Sequence, residues 1–107
     1  MNCPNCGRSL TLVRRLVSES AGGIKTYTSQ WWRCRPCRSF WFGELTEHIA
    51  DGSYEHALFA ADPAVWKEDL RKVKACRTPE DQSCACPAHS GDLFEHYRDR
   101  VSYSYEK

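Results

Sequence analysis

Apolar and polar residues alternate from Leu10 to Val17, with Leu10, Leu12 and Leu16 at even spacing. An even period places them on one face of a β-strand. Ser18 to Gly23 is turn material ending in Gly22-Gly23. Ile24 to Arg33 is rich in β-branched and aromatic side chains and predicts a returning strand. Ser39 to Leu45, which carries Phe40, Trp41 and Phe42, predicts a third. Successive strand side chains point to opposite faces, so one member of each adjacent aromatic pair faces a core and the other does not.

The pattern changes after Asp51-Gly52-Ser53, which reads as a boundary. Asp62 is a good N-cap and Pro63 suits the first helical position. Trp66, Leu70 and Val73 follow at i, i+4 and i+7, which predicts a helix running into Cys76. Its apolar stripe must pack, and the aromatic face of the strands is the available partner. Asp92 with Glu95 resembles a capping pair for a short helix to Arg100, and Val101 to Tyr105 alternates as a terminal strand or a frayed tail. The expected organisation is a three-stranded half over residues 1–50 and a helical extension over 51–107, packed as one α+β unit. The longest purely apolar run, Ala57 to Ala61, is far too short to cross a bilayer.

A chain of 107 residues builds a marginal core, and small folds of this kind add disulfides or a structural metal. Seven cysteines offer either, but an odd number does not close a disulfide framework. The opening Met1-Asn2-Cys3-Pro4-Asn5-Cys6 has neither the basic nor the apolar stretch of a secretory signal. The expectation is a reducing, cytoplasmic setting with thiolates available to metal.

Cys3/Cys6 and Cys34/Cys37 form two Cys-x2-Cys turns separated by 27 residues, enough for a hairpin that brings the second turn back to the first. Each turn offers two sulfurs to one side of a tetrahedron, and two turns close it. Gly7 lets backbone amides approach the sulfurs, and Pro4 and Pro36 stiffen the turns. Over about residues 1–48 the chain resembles the zinc-ribbon superfamily, with Arg38 standing where that pattern commonly has glycine. The resemblance implies a structural zinc ion. The same four sulfurs also resemble a rubredoxin iron site, which the long hairpin and the missing second glycine disfavour.

A second set follows in Cys76, Cys84, Cys86 and His89, separated by seven, one and two residues. Three thiolates and an imidazole complete a zinc tetrahedron, and eight ligands for two zinc ions leave no cysteine over. His96 is the reserve fourth ligand; His48 and His56 are assigned no role. Both sites read as closed, whereas catalytic zinc keeps a position open for water. No nucleophile elbow, phosphate loop or His-Glu-x2-His run is present, so no enzyme and no small-molecule substrate is expected.

The net charge of +1 hides an asymmetry. Residues 1–50 hold seven Lys/Arg against three Asp/Glu, and residues 51–107 hold eight against eleven. Arg33, Arg35 and Arg38 cluster at the second knuckle beside Trp31 and Trp32. Rings interleaved with arginines stack bases and hold phosphates. The expected function is a non-enzymatic zinc module that contacts nucleic acid, or an assembly handling it, through these five residues. The alternatives are a protein–protein adaptor with purely structural zinc and, further off, a rubredoxin-like iron or thiol redox protein.

Overall fold

The computed structural model describes residues 1–19, 24–79, 93–97 and 102–106. It contains β1 (Thr11–Glu19), β2 (Lys25–Cys34), β3 (Ser39–His48), β4 (Tyr54–Ala60), α1 (Pro63–Lys74), a 3-10 turn (Leu93–His96) and β5 (Ser102–Glu106). The strands form one antiparallel sheet in the order β1-β2-β3-β4-β5.

Among the described residues the sheet therefore has five strands rather than the three of the expected N-terminal half: Ser102–Glu106 takes the terminal-strand alternative, and Tyr54–Ala60 is the strand not expected. The Asp51-Gly52-Ser53 segment is a hairpin turn rather than a boundary between regions: His48 N–H donates to Ser53 O at 2.8 Å, and Asp51 Oδ1 accepts from Ser53 N–H at 2.9 Å. Gly52 takes the left-handed backbone that this turn needs, with φ at 71°. Beyond it, β4 pairs with β3 from Glu47↔Tyr54 to Trp41↔Ala60. The expected short helix from Asp92 to Arg100 is a four-residue 3-10 turn within the described residues.

β1 also departs from simple alternation. Leu12 lies opposite Trp32 and Arg14 opposite Trp31, so Val13 is an extra residue on β1. A bulge of this kind moves all later side chains to the other face. Leu10 and Leu16 consequently serve two different cores, while Leu12 is exposed. The shared face expected for Leu10, Leu12 and Leu16 is overturned by that one residue.

Helix α1 forms where its capping residues predict. Asp62 Oδ1 accepts from Ala64 N–H at 2.9 Å and Val65 N–H at 3.2 Å, and Pro63 occupies the first turn. Trp66, Leu70 and Val73 are buried against one face of the sheet with Trp31, Phe42, Phe59, Leu93 and Tyr97. Cross-strand partners Trp31 and Phe42 meet edge-on at 5.2 Å, and Phe42 stacks on Tyr97 at 4.1 Å. Trp66 donates its indole N–H to Trp41 O at 3.1 Å, and its ring lies 4.7 Å from Phe40. Asp69 is buried on the same helix face, where its Oδ2 accepts from Tyr97 O–H at 2.7 Å and lies 2.8 Å from His96 Nδ1. This carboxylate ties the 3-10 turn to the helix.

The opposite face carries a smaller core of Cys3, Leu10, Cys34, Trp41 and Leu58, with Trp32 and Ala60 packed against it. Farther along, Gln30 Oε1 accepts from Trp32 Nε1 at 2.9 Å and lies 2.9 Å from His56 Nε2. Gly43 lies across from Gln30, and a Cβ there would meet Gln30 Oε1 at 2.6 Å. A side chain at this position would displace the Gln30 amide from the network.

Candidate metal centre

The two Cys-x2-Cys turns meet at the end of the sheet that carries the smaller core. The first is held by Gly7 N–H donating to Cys3 O at 2.8 Å and Cys3 N–H donating to Arg8 O at 2.7 Å. The second is the β2–β3 turn, since Cys34 ends one strand and Ser39, its cross-strand partner, begins the next. Both turns need a left-handed residue directly after their second cysteine. Gly7 supplies it with φ at 76°, and Arg38 supplies it with φ at 56°. Arginine thus adopts the conformation for which glycine is common at this place. An L side chain there costs about 1–2 kcal/mol.

The Sγ atoms of Cys3, Cys6, Cys34 and Cys37 all lie within 4.8 Å of one another. Cys6 and Cys34 are 3.4 Å apart, and Cys3 and Cys37 are 3.7 Å apart. A tetrahedron with metal–sulfur distances of about 2.3 Å has sulfur–sulfur edges of about 3.8 Å. The four thiols therefore fit one metal ion of that kind, two from buried residues (Cys3, Cys34) and two from exposed ones (Cys6, Cys37).

The sulfurs are electrostatically unequal. Burial pushes the Cys3 thiol up, but hydrogen bonds from the Ser39 hydroxyl and the Cys6 and Asn5 backbone outweigh it and hold Cys3 down at about 6. For Cys34, a backbone hydrogen bond from Cys37 acts downward. Burial and the sulfurs of Cys37, Cys6 and Cys3 overcome it and push Cys34 up to about 12. Four such neighbours do not all ionise unaided, and a bound cation replaces the retained protons.

Ser39 was not visible as part of the site from spacing alone. Its Oγ lies 3.0 Å from Cys37 Sγ and 3.6 Å from Cys3 Sγ, while it accepts from Trp41 Nε1 at 2.8 Å. Its place two residues after the last cysteine, at a strand start, was the available signal.

Of the second expected set, Cys76 is buried in the core under α1; Cys84, Cys86 and His89 lie outside the described residues. His96, the reserve ligand, is engaged through Nδ1 with Asp69. Among the described residues, Cys3, Cys6, Cys34 and Cys37 form the one group arranged to hold a metal ion.

The predicted binding surface divides. Trp31 is completely buried in the helix-side core and leaves the candidate surface. Trp32 is half-buried on the opposite face. Arg33, Arg35 and Arg38 do come together, lining one cavity with Cys34, Phe40 and Lys67. Lys67, contributed by α1, was missed because it reads as part of the helix's polar face.

No helix among the described residues is long and apolar enough to cross a membrane. Comparison with known proteins found no matching family model, curated protein or solved structure.

Proposed function

We propose that the chain is a non-enzymatic zinc module of zinc-ribbon type that works in the cytoplasm and contacts nucleic acid, or an assembly that handles it. The reading rests on one observation above all: Arg33, Arg35 and Arg38 converge beside a four-cysteine knuckle. A metal-closed turn is rigid, so side chains mounted on it lose little further freedom when they engage a ligand. Arginine forks suit phosphate oxygens, and rings beside them suit bases. Zinc is favoured over iron at the four-cysteine site by the long hairpin, and the ion is structural. A second zinc is held by Cys76, Cys84, Cys86 and His89.

The test is affinity capture of the natively expressed chain with and without nuclease. A nuclease-sensitive retained fraction that falls steeply with salt is expected. A stoichiometric protein partner that survives nuclease would move the reading to an adaptor. Elemental analysis of the same sample should return close to two zinc per chain; one would remove the second site. A sulfur-to-iron charge-transfer colour would instead identify an iron protein.

A further inference from the structure

Between the second knuckle and α1 lies an open, cationic depression. Its volume is about 450 Å³ and it is lined by Arg33, Cys34, Arg35, Arg38, Phe40 and Lys67. That volume falls within the range of about 300–1,000 Å³ common to small-ligand sites. Four of its six lining residues are cationic and none carries a carboxylate. Soluble surfaces normally relieve such crowding by interspersing both signs. Here the relief is partial: the Lys67 ammonium lies over the Phe40 ring, 5.4 Å from its centroid.

Two further observations point to a ligand. Arg33 Nε is buried and has no hydrogen-bond partner among the described residues. A buried donor of this kind calls for an acceptor. Arg38 keeps a strained left-handed backbone at a position glycine would occupy freely. Strain retained in this way belongs with functional sites.

We propose that this cavity receives one phosphate of a single-stranded nucleic acid, with the adjoining nucleotide lying against Phe40. The proposal rests on the nucleic-acid reading above and specifies where and how the strand is held. Arginine forks match phosphate oxygens in pairs, and Arg33, Arg35 and Arg38 bring three of them to one depression. The cavity is larger than a lone phosphate requires, and its aromatic wall suits a base or sugar. A concave site admits a group that can project into it. Single strands project both phosphate and base, whereas a duplex keeps its bases stacked inside.

The experiment uses the full zinc-loaded chain. Fluorescence anisotropy is followed for labelled single-stranded RNA and DNA of about 12 nucleotides, and for matching duplexes, over a range of salt. Single strands should bind more tightly than duplexes. Arg38→Gly and Lys67→Ala should each weaken single-strand binding about 3- to 10-fold and lower the salt slope by about 0.7. Arg38→Gly relieves backbone strain, so it should melt no lower than the parent and its loss of binding is not unfolding. The NMR signal of Arg33 Nε–H should move on titration with the single strand.

If Arg38→Gly weakens binding and Lys67→Ala does not, the arginine edge is right and the cavity is wrong. Equal affinity for duplex and single strand, or an unmoved Arg33 signal, also overturns the cavity. No binding of any nucleic acid by the parent chain overturns both the cavity and the reading beneath it.

Discussion

The hydroxyl of Ser39 sits between a metal ligand and a core tryptophan. It reaches Cys37 Sγ at 3.0 Å and accepts from Trp41 Nε1 at 2.8 Å. Groups that hold a ligand's charge from behind typically change metal affinity about 10–100-fold when removed. Ser39→Ala should therefore weaken metal binding by that order, read by competition with a chromophoric chelator. It should also destabilise the metal-loaded fold by about 1–3 kcal/mol, because the Trp41 N–H loses its acceptor. Unchanged competition would reduce Ser39 to a turn residue. At this scale the ligands were legible and their supports were not. Cys3, Cys6, Cys34 and Cys37 announce themselves by spacing. Ser39 and Lys67 acquire their roles only when β3 and α1 bring them to the cysteines and arginines.

At the scale of elements, α1 is the piece whose docking organises the helix-side core. Trp66 is buried, meets the Phe40 ring at a tilt and donates to Trp41 O. Trp66→Ala should cost about 3–5 kcal/mol in chemical denaturation of the whole chain. A loss under about 1 kcal/mol would mean that the helix is peripheral. The helix and the first three strands were readable because their signals are local: a 3.6-residue period for Trp66, Leu70 and Val73, and β-branched and aromatic runs for the second and third strands. β4 was not readable as a strand of the same sheet. Asp51-Gly52-Ser53 has the chemistry of any turn, and only the pairing of Tyr54–Ala60 with β3 makes it a hairpin. Asp69 was equally opaque. A carboxylate on an apolar helix face looks like a solvated charge until Tyr97 and His96 are seen to cover it. The Val13 bulge left no mark in the polar–apolar pattern, because the leucines on either side of it keep their even spacing.

For the whole molecule, the metal centre and the sheet are one object, since Cys3 and Cys34 belong to the same core as Trp41 and Leu58. Metal binding at such a site is folding free energy, on the order of 10 kcal/mol for small zinc domains. Chelation, or Cys34→Ser, should unfold the knuckle end and then the rest of the sheet. Loss of amide dispersion in an NMR spectrum would report it. A native-like spectrum for Cys34→Ser in chelator would separate metal from fold.

The bulge at Val13 has a consequence for how molecules of this protein meet one another. Among the described residues β1 is an outer strand of the sheet, with β2 as its one strand partner. An outer strand with a straight row of unpaired amides is a template for a second chain. Here the strand is bent at Val13, carries exposed Arg14 and Arg15 directly after the bend, and has its Val17 N–H taken by Pro79 O at 2.7 Å. Bend, charge and a covering carbonyl are three separate obstacles to edge-to-edge pairing of two sheets. Excising Val13 would straighten the strand, and light scattering at raised concentration should then show oligomers that the parent chain does not form. The residue that makes the leucine pattern misleading is thus also the one that bends an outer edge of the sheet.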